Sequence, residues 1–528
     1  MTNDVKDNLF VLVKSLTKSE KRQFKLFVGR MHSNEDSKFL NLFNQLEKMD
    51  NYDEKIILEK GIVSKQQLSN LKAHLYKQIL ISLRLNPVHK NIRLKIRSQI
   101  DFATILYQKG LYKQSLKALE KAKNIAYKYD EKTSAYEIVE FEKLIESQYI
   151  TRSMSNRTKE LTTQSDYLRK QNDISSRLSN ISLKLYEKLI KVGYVKSDED
   201  YRKLTKFFYS RMPKIKIDNL GFKEQILYYK AWVWYSLITQ DFLSSYKYAS
   251  KWVAMFEKNP EMINIHPVFY LKGTNYLLEA LTLIKYPVKF KKTLIELINN
   301  IESNDFQKNQ NTSSLSFLYK YNNLFNLYAL EGNFEESLNI IPDVLEGIKK
   351  NKDLIDPTHI MLLYYKIGCM YFALDDYEKC IVYLDKIIKD KNVKMREDLQ
   401  CFTRILNLMA HYEAGYDYHL DKIIRDTYKY LLKMNDLHEV QKALLKYVRS
   451  LENIYPHDIK DSLKSLYKEL KKFEDDPYEK RSFLYLDVLS YLESKIKAKP
   501  LRHIIREKAI SLNRKEKQSI KYSWGVQQ

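Results

Sequence analysis

The amino-acid sequence predicts an all-α fold, an α-solenoid of stacked antiparallel helix pairs. A turn signal recurs about every 43 residues, and a period of this length is typical of stacked helical repeats. The 528 residues include only 11 glycines and 10 prolines, too few for many tight turns, so long helices are favoured. Apolar residues make up 44% of the chain and supply ample material for a core.

Residues 1–90 are predicted to form a small, basic, helical N-terminal domain. Thr17 and Glu20 form a capping box, in which each side chain satisfies a free backbone amide at the start of a helix. Further helices are expected over residues 37–49 and 53–60. Another is expected from Ser64 onward, ended by Asn86 and Pro87.

The stretch 60–100 contains no Asp or Glu and is strongly cationic. The short helix over residues 53–60, the turn at Gly61 and the helix from Ser64 together resemble a helix-turn-helix. The side chains there that can read base edges or bind phosphates are Lys65, Gln66, Asn70, Lys72, Lys77 and Arg84. The alternative is a helical cap on the solenoid whose basic face is only solvated.

Residues 91–475 contain the repeats. The clearest turns lie at residues 110–112, 332–334, 375–377 and 415–417, and weaker ones lie near Ser153, Val195, Gln240, Tyr286 and His457. In one repeat, small and large residues are spaced as they are in two antiparallel helices that pack closely on each other. Its members are Tyr364, Ile367, Gly368, Tyr371, Tyr377, Cys380, Leu384 and Ile387.

These positions resemble the signature of tetratricopeptide repeats, and the resemblance covers roughly residues 95–475. The unit is longer than the family's usual one of about 34 residues, which implies helices of about 18 residues, or about 27 Å. The chain is also similar to uncharacterised bacterial repeat proteins. This likeness supports the architecture, a superhelix, and implies no activity.

Two further segments complete the predicted organisation. The polar stretch 303–314 is expected to be a long loop, a hinge between two halves of the solenoid. Residues 476–528 are expected to form capping helices and then a basic tail, partly disordered because its last dozen residues lack periodicity.

No catalytic motif stands out, so the sequence predicts a non-enzymatic protein without a cofactor or a metal site. Cys369, Cys380 and Cys401 are too few for a disulfide framework and predict packed thiols in a reducing cytoplasm. No segment has the length of apolar sequence that membrane insertion needs. The aromatic run Tyr228, Tyr229, Trp232, Trp234, Tyr235 with Trp252 is expected to be core, and a stacking platform for a ligand is the alternative.

The resemblance to tetratricopeptide repeats implies that the first helix of each pair lines a groove for a peptide or protein segment. In that register the groove-facing residues are Lys230, Asn322, Asn323, Asn326, Lys366, Arg404 and Asn407. Asn amides can hold an extended backbone, and Lys and Arg pair with carboxylates. The lining therefore implies a scaffold or adaptor whose partner is acidic or offers a free C-terminus.

The alternative function is a DNA-binding regulator, in which the helix-turn-helix-like unit binds DNA and the repeats sense a ligand. A third hypothesis is RNA association through the general basic surface, since the net charge is +24. That excess also has an interpretation without function, as a solvated surface that reflects composition. The sequence leaves the oligomeric state and the identity of the partner open.

Overall fold

The computed structural model describes residues 7–30, 34–61, 64–85, 91–149, 154–390, 397–433, 439–450, 458–485 and 487–525. Within these ranges the chain is all-α, no strand occurs, and consecutive helices pack on one another as in an α-solenoid. The chain forms two compact units, Met1–Arg169 and Lys170–Gln528. The predicted turns at Ser153 and His457, and the helix end at Asn86 and Pro87, lie outside the described residues.

The first unit contains short helices followed by longer ones. They are α1 Asn8–Ser15, α2 Lys18–Val28, α3 Asn34–Lys48, α4 Glu54–Glu59, α5 Lys65–Leu85, α6 Ile92–Gln108, α7 Tyr112–Lys128, α8 Lys132–Gln148 and the start of α9, Met154–Val192. The predicted capping box at Thr17 and Glu20 is confirmed. Helices α1–α5 share one apolar cluster, in which Phe24 packs on Phe43, and α6–α9 share another, around Ala103 and Ile138.

The second unit contains the end of α9 and a series of paired helices. They are α10 Asp198–Arg211, α11 Phe222–Ile238, α12 Phe242–Lys258, α13 Glu261–Ile265, α14 Pro267–Leu283, α15 Pro287–Ser303, α16 Gln310–Glu331, α17 Phe334–Lys350, α18 Pro357–Ala373, α19 Tyr377–Ile388, α20 Glu397–Glu413, α21 Asp417–Lys433, α22 Glu439–Ser450, α23 Ile459–Lys471, α24 Ser482–Tyr485, α25 Val488–Lys497 and α26 Leu501–Gly525. Many of these helices have 17 residues, close to the predicted length.

The same turn joins the two helices of five consecutive pairs. The first helix of each pair is followed by a residue with left-handed backbone, and these residues are Gln240, Lys285, Gly332, Asp375 and Gly415. The next residue donates its backbone N–H to the carbonyl five positions earlier, over 2.9 to 3.1 Å, and so satisfies a carbonyl that the helix leaves free. The predicted turns at these positions are therefore confirmed. Gly110 forms the same turn between α6 and α7.

The prediction of a long loop over residues 303–314 is wrong. A short 3-10 helix, Asp305–Lys308, follows α15, and α16 begins at Gln310. Asn309 caps α16 by accepting a hydrogen bond from the Asn311 amide, and the Phe306 side chain is buried. The Ser, Thr and Asn residues that favour loops are equally good at helix starts, and here they start a helix.

The segment after α23 returns to the two outermost of the five turns. The Gln240 side-chain amide donates to the Tyr478 carbonyl at 3.3 Å, and the Lys480 ammonium lies 4.6 Å from the centre of the Phe242 ring. At the last turn, the Glu413 carboxylate binds the Tyr491 hydroxyl and the Lys495 ammonium. The turns of the first and fifth pairs are therefore both held by residues that precede α26.

Helix α26, which we call the C-terminal strap, contacts the three turns between them. Arg502 pairs with Asp375 at 3.5 Å, and Arg506 donates to the Gly332 carbonyl at 3.1 Å. The Glu516 carboxylate accepts from the backbone amides of Val288 and Lys289, at 2.8 and 3.0 Å, and so caps α15. The strap thus passes the pairs in the order opposite to that of the sequence.

The prediction of a partly disordered basic tail is wrong over the described residues, because α26 is helical to Gly525. An apolar stripe recurs at helical spacing along α26 and packs against the rest of the second unit. Its members are Leu501, Ile504, Ile505 and Ala509. The many Lys and Arg residues around the stripe obscure it in the sequence.

Two glycines with the same backbone conformation provide a test of the strap. A Cβ at Gly332 would lie 2.9 Å from the Arg506 backbone nitrogen, whereas a Cβ at Gly415 would meet nothing within 4 Å. We expect Gly415→Ala to lower the free energy of unfolding by about 1 kcal/mol, the cost of a left-handed alanine. Gly332→Ala should cost about 1 to 3 kcal/mol more, because the strap must shift. Urea unfolding measures both, and equal costs would contradict a closely packed strap.

Candidate functional site

A network of polar side chains crosses the first helices of three consecutive pairs. The fully buried Asn323 of α16 donates to the Asn275 side chain of α14 at 2.9 Å and accepts from Asn326 at 3.2 Å. Lys366 of α18 donates to the Asn322 carbonyl at 3.1 Å and also to the Asn326 side-chain oxygen. We call Asn275, Asn322, Asn323, Asn326 and Lys366 the polar row.

Lys366 lies in an environment that disfavours its charge. Burial lowers the pKa of its ammonium to about 7, although the nearby Cys369 and Glu279 act in the opposite direction. Its hydrogen-bond partners are a carbonyl and an amide oxygen, and neither carries a charge. Lys366 therefore loses its proton readily near neutral pH unless an anion approaches.

Further cations lie on the first helices of the neighbouring pairs. Lys230 of α11 is half-buried, and burial and the charge of Lys272 on α14 lower the pKa of its ammonium. Arg404 of α20 lies 3.5 Å from the centre of the Tyr430 ring and donates to Gln400, and burial lowers the pKa of its guanidinium. Lys230, Lys272 and Arg404 form no salt bridge with a carboxylate among the described residues. They are half-buried charges without a counterion, a costly arrangement.

The structure brings together part of the predicted groove set. Asn322, Asn323, Asn326 and Lys366 share one network, whereas Lys230 is linked to α14 through the charge of Lys272. Asn407 is buried on α20, and its side-chain oxygen, like that of Asn322, has no hydrogen-bond partner in the described parts of the chain. No hydrogen bond described by the structure joins Arg404 or Asn407 to the polar row.

Sequence reasoning missed Lys272 and Asn275, which contribute to this surface from α14. The turn that ends α14 has Lys285 in the left-handed position, where two of the other pairs have glycine and one has aspartate, so the register of this copy is weakly marked. Counting back from the Tyr286 turn signal would have found both residues, because they lie three positions apart on one helix face.

The candidate nucleic-acid residues on α5 fall into two groups. Lys65, Gln66, Asn70 and Lys77 are exposed. Lys72, by contrast, pairs with Asp7 and donates to the Tyr52 hydroxyl at 2.8 Å. Burial acts against the charge of Lys72, but these hydrogen bonds raise the pKa of its ammonium above the usual range.

Arg84 pairs with Asp101 of α6. The Arg84 side chain is nevertheless 57% exposed, so of the six predicted residues only Lys72 is half-buried and the other five are accessible.

The other groups that could carry chemistry are packed. Cys369 is half-buried, Cys380 and Cys401 are buried, and all three are free thiols. Burial raises the pKa of Cys369 to about 12 and that of Cys380 well above its usual range, so neither forms a reactive thiolate near neutral pH. In the described ranges, no group of three or more His, Cys, Asp or Glu is arranged to hold a metal ion.

Two open depressions lie elsewhere on the molecule. One, of about 360 Å³, is lined by Lys18, Lys21, Arg22, Lys25, Leu26 and Glu47, and the other, of about 490 Å³, is lined by residues 374–378 with Ala414 and Tyr416. Neither includes a residue of the polar row. None of the described helices is both long and apolar enough to cross a membrane.

Comparison of the sequence with known protein families and with curated proteins gives no match.

The lowered pKa of Lys366 predicts a specific pH dependence of stability. Between about pH 7 and pH 10 the unfolded chain holds a proton on Lys366 that the folded chain has lost. The free energy of unfolding should therefore rise with pH in this window, by about 1 kcal/mol per pH unit relative to the Lys366→Met variant. Below pH 7 the difference should be constant. Urea unfolding between pH 6 and 9.5 measures it.

Lys349→Met, which removes an exposed lysine of α17, is the matched control. The prediction fails if the difference between wild type and Lys366→Met has no larger pH slope than this control.

Proposed function

We propose that this protein is a non-enzymatic interaction scaffold, in which the first helices of the pairs bind an acidic peptide or protein segment. The observation that carries the proposal is the set of half-buried cations Lys230, Lys272 and Arg404, for which the described residues supply no carboxylate. An acidic ligand would supply the missing counterions and relieve their desolvation cost.

Two asparagine side chains, Asn322 of the polar row and Asn407 of α20, complement the backbone of such a ligand. The side-chain oxygens of Asn322 and Asn407 are buried acceptors without a hydrogen-bond partner among the described residues, and a peptide N–H is a suitable donor. Cations for the side chains and amide oxygens for the backbone together favour an extended acidic segment.

The proposal includes a tetratricopeptide-like register, in which α11, α14, α16, α18 and α20 line the binding surface. It also includes a reducing, cytoplasmic setting, which the three free cysteines support.

Selection from a displayed library of random peptides tests this function on the full chain. We expect the selected peptides to be rich in Asp and Glu. Lys230→Met with Lys272→Met, which keeps the aliphatic stems, should weaken the selected peptides about tenfold or more, since a charge-assisted hydrogen bond contributes about 1.5 to 3 kcal/mol. Lys349→Met with Lys350→Met is the control. Selected peptides without acidic residues, or equal affinities for both double variants, would refute the proposal.

The alternative proposal is DNA binding by α5, and the observation that favours it is the exposure of Lys65, Gln66, Asn70 and Lys77 after the left-handed turn at Gly61. These side chains lie on a helix that follows a shorter one, as recognition helices do.

Fluorescence anisotropy with a labelled duplex and the full chain tests this alternative. Binding should weaken steeply with salt, and Lys65→Glu with Lys77→Glu should reduce the slope of log K against log salt by about 2. Lys109→Glu with Lys113→Glu, which reverses two exposed charges of the first unit, should change the slope less. A chain that does not bind duplex at low salt would exclude this function.

A further inference from the structure

Four aromatic side chains meet at the surface where α10, α11 and α12 pack together. Trp232 of α11 is at their centre and stacks on Tyr248 of α12, with ring centres 4.8 Å apart. Tyr209 of α10 lies 5.9 Å from Trp232, and Tyr228 lies 6.3 Å from it. We call Tyr209, Tyr228, Trp232 and Tyr248 the aromatic platform.

The platform differs from the aromatic core beside it. Trp252, Tyr229 and Tyr235 are buried, so the prediction of core packing is confirmed for them. Tyr228, Trp232 and Tyr248 are only half-buried, and Tyr209 is 57% exposed. The Tyr209 ring packs edge to face on Trp232, with 77° between the ring planes, and more than half of its surface stays available to a ligand.

Cations are frequent along α10 and in the residues that follow it. Residues 201–217 include six Lys and Arg and no Asp or Glu. Lys203 pairs with Glu199. The remaining five are exposed and form no salt bridge within the described parts of the chain; they are Arg202, Lys206, Arg211, Lys214 and Lys216.

The α12 side of the platform carries cations as well. Lys247 and Lys251 are exposed and likewise have no carboxylate partner among described residues, and the Lys247 ammonium lies 5.7 Å from the centre of the Tyr248 ring. The carboxylate of Asp241 is nearby, but it accepts a hydrogen bond from the Ser244 amide at 3.0 Å and caps α12.

We propose that the aromatic platform and the cations around it form a binding site for single-stranded nucleic acid. A base stacks on the exposed ring of Tyr209, which packs edge to face on Trp232, and the phosphates lie along Arg211 and Lys214 on one side and Lys247 and Lys251 on the other. This site is separate from the polar row and does not depend on the acidic-peptide function.

The chemistry of the surface selects this ligand over two others. Base stacking on an aromatic ring needs an unpaired base, which a duplex does not offer. An acidic peptide would satisfy the cations but has no planar group for Tyr209. Stacking and phosphate contacts both tolerate any sequence, so we expect little preference among bases.

Fluorescence anisotropy with the full chain and a labelled 12-nucleotide oligo-U tests the site. Tyr209→Ala should weaken binding about tenfold, because a stacked base is lost. Tyr209→Phe, which keeps the ring, should bind like the wild type. Lys247→Glu with Lys251→Glu should weaken binding and reduce its salt dependence. Lys349→Glu with Lys350→Glu changes the net charge equally on exposed residues of α17 and should have a smaller effect.

Four outcomes would overturn the proposal. They are no binding at low salt, equal affinity of wild type and Tyr209→Ala, equal effects of the two charge reversals, and duplex or polyglutamate bound as tightly as oligo-U. Circular dichroism confirms that each variant is folded. If Tyr209→Ala does not fold, the comparison of the two charge reversals decides the question alone.

Discussion

The left-handed turn at the end of each first helix is the constraint on which the second unit depends. It closes the helix with a backbone hydrogen bond and starts the partner helix after the same number of residues each time. Successive pairs therefore present equivalent positions to one another, and this is why polar side chains of α14, α16 and α18 can meet in one network. A surface that extends over several pairs requires this regularity.

The C-terminal strap and the segment before it use the same regularity. A single helix contacts three turns in succession, those at Lys285, Gly332 and Asp375, which lie 47 and 43 residues apart in the sequence. The contacts are mainly ionic and capping contacts at the turns, with an apolar stripe beneath them. The first helices of the same pairs carry the polar row, so the strap holds together the helices that the proposed groove requires.

Much of this architecture could be predicted from the sequence, because turn signals and helical spacing are local. The turns at Gly332, Asp375 and Gly415 were recognisable from their residues. The strap was not, since the turns that it contacts lie 127 to 228 residues earlier and local composition made it resemble a tail. The polar row was predicted only in part. The repeat register gives the face of a helix on which a residue lies, but it does not give the partners of that residue. Only the packing shows that Lys72 is in an ion pair and that Lys230 forms none within the described residues.

The capping of α15 by Glu516 has a consequence for synthesis. The residue before α15, Tyr286, makes no side-chain cap, and the carboxylate that supplies one is added to the chain 228 residues after Val288. The three pairs whose turns the strap contacts are therefore synthesised before the strap itself. Until residue 516 has been added, the first turn of α15 lacks the carboxylate that caps it.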